Sequence, residues 1–472
     1  MKARAMPKKA PEVSHTMQTL STYIAGALRR TLPSEVIESA KLHLLDTLAS
    51  IVSGSRLIPG RRATLYIKTL GGTREACVPG TRIVTTAVNA ALANGMFAHA
   101  DETDDSHAAG MFHPGACIVP AALALAERNG AGGTALLRAM VVGYDVGARL
   151  AMALKPIDFF LRGHHTPSFG GLFGATAAAG AMMRLNPTQT RYMLSYAAQQ
   201  AAGLACLLRD PEHVEKAFDM AGAPAHNGVQ AALFAAHGFT GVADVFSGDR
   251  NFFGTFAPDG DPARLASGLG KTYEILNSSI KKWCVGAPIL APMDALETLA
   301  KEHPFAVDDV EKVLITIPEK EAAIVNNRAA PDISLQHMVA LMLLDGRVTF
   351  ESAHDFKRMR DPRIARLKSR IDLVGSARMT DPLRRWHAEV RIQLGDGRTL
   401  RHYTYAARGS SYNPLDRDEE NTKALDLLAP ILGTRRARAL IDTVWRIDKV
   451  ADVRELRKVY CVDERGGKAE MR

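Results

Sequence analysis

Between Thr85 and Phe239 the chain is written largely in alanine and glycine, in stretches such as TTAVNAALANGMFAHA, GACIVPAALALAE and GLFGATAAAGAM. Alanine has the highest intrinsic helix propensity, and side chains this small let neighbouring helices approach closely. The text therefore predicts a tightly packed helix cluster. Punctuation agrees with this: Asn129-Gly130 and Asn186-Pro187 read as helix stops. Upstream, Pro33 and Ser34 precede Val36, Ala40, Leu44, Leu48 and Val52, an i, i+4 apolar row ending at Gly54, as a capped amphipathic helix should. The Gly/Arg-rich stretch from Gly60 to Gly80 reads as a loop. No fixed-period repeat is present, so a solenoid is not expected.

The pattern changes near Asn277. VEKVLITIP, Val310 to Pro318, alternates over Val313, Ile315 and Ile317. AEVRIQLGDGRTLRHYTY gives a strand with Val390, Ile392 and Leu394, a Gly395-Asp396-Gly397 turn, and a second strand. A short apolar helix, SLQHMVALMLLDG, lies between them. Asn421 to Leu432 and Arg435 to Trp445 return to helix. The expectation is a mainly α fold: a large all-helical domain over 14–276 and 409–472, interrupted by a smaller α+β unit over 277–408.

With 472 residues, 47% of them hydrophobic and 23% charged, the chain is in the globular range and long enough for a substantial core. Lys and Arg exceed Asp and Glu by nine, which would suit an anionic partner. The basic residues are scattered, however, with no aromatic-interleaved basic run and no helix-turn-helix signal, so nucleic acid is not expected. The five cysteines are far apart without a C-x-x-C pair, which argues against a zinc knuckle or a disulfide framework and suits a reducing cytoplasm. No apolar run is long enough to span a membrane, and the basic opening MKARAMPKKA reads as a frayed tail rather than a targeting signal.

Three polar constellations interrupt the apolar text. His99 to His107, followed by His113-Pro114-Gly115, packs four carboxylates and three imidazoles into one short run. That set supplies general acids and bases; it could equally be a solvated loop whose Asp105 and Ser106 cap helices. Metal-ligand spacing of the H-E-x-x-H kind is absent, so no metal is expected. The second, Arg162-Gly163-His164-His165-Thr166-Pro167-Ser168, precedes a glycine-rich helix start. Lysines make up the third: Lys216 in HVEKAF, and Lys281-Lys282 before Trp283. A lysine beside an aromatic often only stacks, but lysines converging with the histidines would hold a di- or tricarboxylate. They would also stabilise the enediolate-like charge that follows proton abstraction beside a carboxylate.

AKLHLLDTLASIVSGS, ANGMFAHADETDDSH…HPGACIVPAALALAE, GYDVGARL, GHHTPSFGGLFGATAAAGAM, AAQQAAGL, GFTGVADVFSG and RGSSYNPLDRDEENTKAL, in this order, resemble the MmgE/PrpD family, from about residue 15 to 430. The resemblance implies a helical domain with an α+β lid, a homodimer, and cofactor-free chemistry on small polycarboxylates: loss of water, loss of CO2, or epimerisation. Position by position, the family's HAxDFDDTH stretch falls on His99 to His107, with Glu102 for an aspartate and Ser106 for a threonine. Its HPS histidine is His113, its loop histidine His165, and its two lysines Lys216 and Lys281. Asp219 stands where the K-x-x-H histidine would be. The decarboxylase pattern has a histidine where this chain has Gly286, a proline at Cys284 and a tyrosine at His337.

These correspondences imply a hydro-lyase of the 2-methylcitrate dehydratase type. Lys216, Lys281 and Lys282 would hold carboxylates with His337 nearby, His113 and His165 would relay protons, and Glu102, Asp105 and Ser106 would orient or protonate the leaving hydroxyl. An epimerase or decarboxylase on the same scaffold is the alternative; a metal-dependent hydrolase and a non-enzymatic binding protein are weaker ones.

Overall fold

The computed structural model describes residues 13–381 and 386–462. The basic opening segment and the last ten residues lie outside them. Helices dominate, as the small-residue text predicts. Ser34–Gly54 is helical to the predicted glycine. Pro114 opens the Pro114–Asn129 helix, and Gly130 closes it in the left-handed conformation. Asn186 caps the Pro187–Gln199 helix with a full capping box.

At the centre runs the Thr166–Met182 helix, buried along its whole length. It packs against the Gly133–Ala153, Pro114–Asn129 and Ala223–Ala236 helices. Glycines set the spacing of the tightest pair. A Cβ on Gly143 would sit 2.9 Å from the Gly174 carbonyl oxygen, and one on Gly147 would sit 2.7 Å from that of Gly170. Two glycines one turn apart on each helix thus bring the backbones into contact, and alanine at either position would force them apart.

One expectation fails here. The stretch read as a Gly/Arg-rich loop contains a helix, Ile58–Leu70. Pro59 at its first turn lacks an N–H that would be unsatisfied there anyway, and Ala63 and Ile67, four apart, are buried on one face. The arginines are simply its solvent side.

The long strands fall between Val310 and Thr404 and form one four-stranded sheet. Val310–Pro318 pairs antiparallel with Ala388–Leu394, which pairs antiparallel with Thr399–Thr404 across the Gly395–Gly397 turn. On its other side Val310–Pro318 runs parallel to Ile371–Ser376, a strand the sequence reading missed because it is short and only partly buried. The Leu290–Glu302 helix covers the hairpin. Beyond the sheet, the Arg417–Leu432 helix packs along Ser34–Gly54 in the helical body. A two-residue antiparallel pairing, Ser106–His107 with Ser278–Ser279, ties the polar loop to the start of the strand-bearing segment.

Candidate functional site

His99 ends the Ala87–Ala98 helix, and Pro114 begins the next; the loop between them is almost entirely buried. Buried polar groups must find partners, and the loop's carboxylates each find a different set. Lys216 Nζ donates to Glu102 Oε1. On the other side Lys281 Nζ donates to the Glu102 carbonyl at 2.8 Å and lies 3.4 Å from Oε2. Burial alone would push the Glu102 carboxyl up, but Lys216 and Lys281 outweigh it and hold it well below the usual range. Glu102 is therefore a fixed anion at neutral pH, an orienting group rather than a proton donor.

Asp104 lies between two imidazoles. His99 Nδ1 donates to Oδ2 at 2.8 Å, and His113 Nδ1 is 3.2 Å from the same oxygen. Burial is again outweighed, here by His99 and His113, and Asp104 is held well below the carboxylate range. With Nδ1 turned to Asp104, His113 presents its other ring nitrogen away from the carboxylate, and the residue lines a cavity of about 260 Å³. Glu102, Ser106, Lys216 and Lys281 line the same cavity. Ser106 Oγ is buried and unpartnered. Ile324, Val325 and Trp386, from the strand-bearing segment, form its apolar side.

A local distortion positions Lys216. The Val214–Ala217 helix runs into a π-turn, Phe218–Gly222, before the Ala223–Ala236 helix. Pro224 has no N–H to give the Met220 carbonyl four residues earlier; Cys117 Sγ donates to it at 2.9 Å instead. Met220 lines the cavity, and Asp219 reaches His165.

Glu102, Ser106, His113, Lys216 and Lys281 thus line one cavity. The other four sequence candidates do not. The Asp105 carboxylate is fully buried and accepts from His43 Nδ1 at 2.7 Å, Tyr144 Oη at 2.6 Å and Gly115 N–H at 2.8 Å. It braces the loop and does not line the cavity. Gly115 is required for this, since a Cβ there would lie 2.8 Å from Asp105 Oδ1. His165 is buried behind the cavity wall, with Nδ1 2.5 Å from Asp219 Oδ2 and 3.1 Å from Ser168 Oγ. Lys282 points elsewhere: its ammonium pairs with Glu297 at 2.5 Å, lies 4.6 Å from the Trp283 ring centre, and borders a separate polar hollow of about 480 Å³. His337 is enclosed with both ring nitrogens unpartnered, and burial pushes its pKa down to about 4.

The sequence reading assigned no individual role to His99 or Asp104, although both lie in the run it singled out, and it passed over His213. Three imidazoles form a row, with ring centres 4.8 Å apart for His113 and His99 and 5.2 Å for His99 and His213. A ring nitrogen of His99, one of His213 and a Glu102 oxygen lie within 4.8 Å of one another; His99, Asp104 and His113 make a second such group. These are metal-ligand types, but the ammonium groups of Lys216 and Lys281 already hold Glu102 and would repel a divalent cation.

Asp101, beside Glu102 in the loop, faces His354 Nε2 at 3.0 Å, while His354 Nδ1 donates to the Phe350 carbonyl at 2.7 Å. One ring nitrogen faces a carboxylate and the other a carbonyl, surroundings that favour an imidazolium. Burial lowers its pKa, but the bond to Asp101 more than offsets this, bringing it up to about 9. A folded-state pKa raised above the unfolded value gives stability that is fully present below about pH 6.5 and lost as pH rises through about 9. Thermal stability is accordingly expected to fall between neutral pH and pH ~10 by the equivalent of about 3 kcal/mol. His354→Gln should flatten that limb in calorimetric scans; an unchanged slope would dismiss the ion pair as its source.

Two family models match successive parts of the chain: the MmgE/PrpD N-terminal domain over residues 18–265, and the MmgE/PrpD C-terminal domain over 283–449. The chain belongs to the MmgE/PrpD family. Curated relatives span nearly its whole length. It is 28% identical to the cis-aconitate decarboxylase-like protein oryM of Aspergillus oryzae, over 94% of this chain and 97% of that protein. It is 26% identical to the cis-aconitate decarboxylase of Homo sapiens, over 92% of each, and 23% identical to that of Aspergillus terreus, over 94% of each. Among the described residues, no helix is long and apolar enough to cross a membrane.

Proposed function

We propose that this family member is a lyase that eliminates water from a small hydroxy-polycarboxylate, by proton abstraction beside a carboxylate and without a metal. The observation that carries the reading is the convergence of Lys216, Lys281, Glu102, Ser106 and His113 on one small cavity. Two ammonium groups offset the charge that builds when a carbon next to a carboxylate loses its proton. His113, steadied by a permanently charged Asp104, is the group able to take or return that proton. The unpartnered Ser106 hydroxyl is free to bond the leaving oxygen. Glu102 fixes the two lysines in register.

Decarboxylation of a cis-aconitate-like acid is the second reading, favoured by the names of the relatives. Against it, Gly286 lines the cavity where the decarboxylase pattern has a histidine, and a glycine moves no protons. The two reactions separate in one experiment. Purified protein given 2-methylcitrate or citrate is expected to produce a conjugated acid, read as rising ultraviolet absorbance. With cis-aconitate, proton NMR should show hydration and no loss of CO2. Release of CO2 without any dehydration would reverse the order of the readings, and inertness toward all these acids would remove both.

A further inference from the structure

The lysines this substrate would need are already engaged. Lys216 is held by Glu102 Oε1, and Lys281 by the Glu102 carbonyl and Oε2. A polycarboxylate that draws these ammonium groups toward itself loosens their hold on the Glu102 carboxylate in a buried site, which is unfavourable. Something else must receive it. Two nearby ring nitrogens able to take up a proton have nothing bonded to them: Nε2 of His99 and Nε2 of His213, both buried. Ring nitrogens of these two residues and a Glu102 oxygen lie within 4.8 Å of one another.

His213 carries a second mark. Its backbone is left-handed, with φ 61° and ψ 11°, at the residue just before the Val214–Ala217 helix. A non-glycine residue seldom adopts this conformation, and it persists only where the surroundings impose it. Here it accompanies an imidazole packed against His99.

We infer that His213 is the reserve partner of Glu102: when an anionic substrate takes Lys216 and Lys281, His213 takes up a proton and, as an imidazolium, receives the Glu102 carboxylate. This rests on the polycarboxylate reading above. In the free protein, burial and the neighbouring Lys216 keep His213 neutral, pushing its pKa well below the ordinary histidine value. The other groups facing it are His99, Glu102 and Asp104 on the opposite loop. Asp210 and Glu215 on its own segment, and Arg62 on the Ile58–Leu70 helix, border the groove outside. Substrate carboxylate beside Lys216 cancels the repulsion, and Glu102 turning to the ring adds attraction, so the same ring becomes charged. His99 is the poorer acceptor, being wholly enclosed with Nδ1 committed to Asp104. His213 keeps partial exposure, so its proton can come from solvent. The balance is one proton bound per polyanion, with no covalent change.

Isothermal titration of the full chain with citrate, near neutral pH and in buffers of different ionisation enthalpy, tests this. The expected result is uptake of about one proton per citrate, with Kd weakening up to about tenfold per pH unit as pH rises. In His213→Gln, citrate should still bind, more weakly, with proton uptake close to zero. Glu102→Gln should also abolish the uptake, because no charge then needs a new partner; it keeps the test open if His213→Gln folds poorly. Buffer-independent heats in the wild type, uptake retained in either variant, or uptake lost only in His99→Gln would overturn the assignment. If citrate, cis-aconitate and 2-methylcitrate all fail to bind, the polycarboxylate reading falls first and this inference with it.

Discussion

His113→Gln is expected to lower kcat by about 10²- to 10⁴-fold while leaving KM within about threefold, measured with whichever polycarboxylate turns over. Glutamine keeps a polar group at the cavity wall but cannot shuttle a proton. The lysines that would bind carboxylates are untouched by the change, so ground-state affinity should survive. Asp104→Asn gives the sharper result. Asp104 Oδ2 accepts from His99 and faces His113 Nδ1; an amide puts either an uncharged carbonyl oxygen or an NH2 group at that one point, and in both cases removes the anion between the two rings. The His113 imidazolium formed on proton abstraction would lose its counter-charge, and a kcat loss comparable to that of His113→Gln is expected without a matching loss of folding stability. Since Asp104 is held well below the carboxylate range, it stays charged throughout the acid limb of a pH–rate profile, and that limb cannot be its titration. Should His113→Gln retain more than about a tenth of wild-type kcat, the proton transfer belongs to another group.

Much of the fold was legible because helix caps, small-residue packing and strand alternation are local signals. Val310–Pro318 occupies the stretch its alternating residues mark. Ile58–Leu70 was missed because its arginines and glycine suggest a loop until one knows which two residues meet the core. The site was legible in part for the same reason. The His99 to His113 run announces itself by density, and Lys216 and Lys281 stand out as lysines beside aromatics, to which the family resemblance adds a role. What sequence does not encode is the direction each side chain takes once the loop is folded. Asp104 and Asp105 are adjacent and chemically identical, yet one stands between two histidines beside the cavity and the other is held by His43, Tyr144 and Gly115. Lys281 and Lys282 separate likewise, one into the cavity and one onto Trp283. Residue type alone does not say which member of each neighbouring pair turns to the site.

The support beneath the loop comes from a residue no local pattern marks. Lys423, on the Arg417–Leu432 helix, donates to Asp46 Oδ1 and, at 3.1 Å, to the Thr103 carbonyl, joining the C-terminal helix, the Ser34–Gly54 helix and the candidate active loop. Burial would lower the Lys423 pKa, but Asp46 outweighs it and pulls it up, so the ammonium is kept. Glu420, one turn earlier and fully enclosed, is pushed well above the carboxylate range by burial, so it does not compete as a second anion. Lys423→Met is therefore expected to destabilise the protein by about 3–5 kcal/mol, because it strands the Asp46 carboxylate in the core. Equilibrium denaturation should show this as a lower midpoint at unchanged slope. The double variant Asp46→Leu with Lys423→Met removes both charges and should recover most of the loss, as apolar replacement of a buried pair usually does. Recovered stability without recovered turnover would then isolate the second role, since only Lys423 holds the Thr103 carbonyl next to Glu102. A single-variant loss below about 1 kcal/mol would mean that Asp46 is reached by water or sheds its charge, and that the loop rests on Asp105 and its three donors alone.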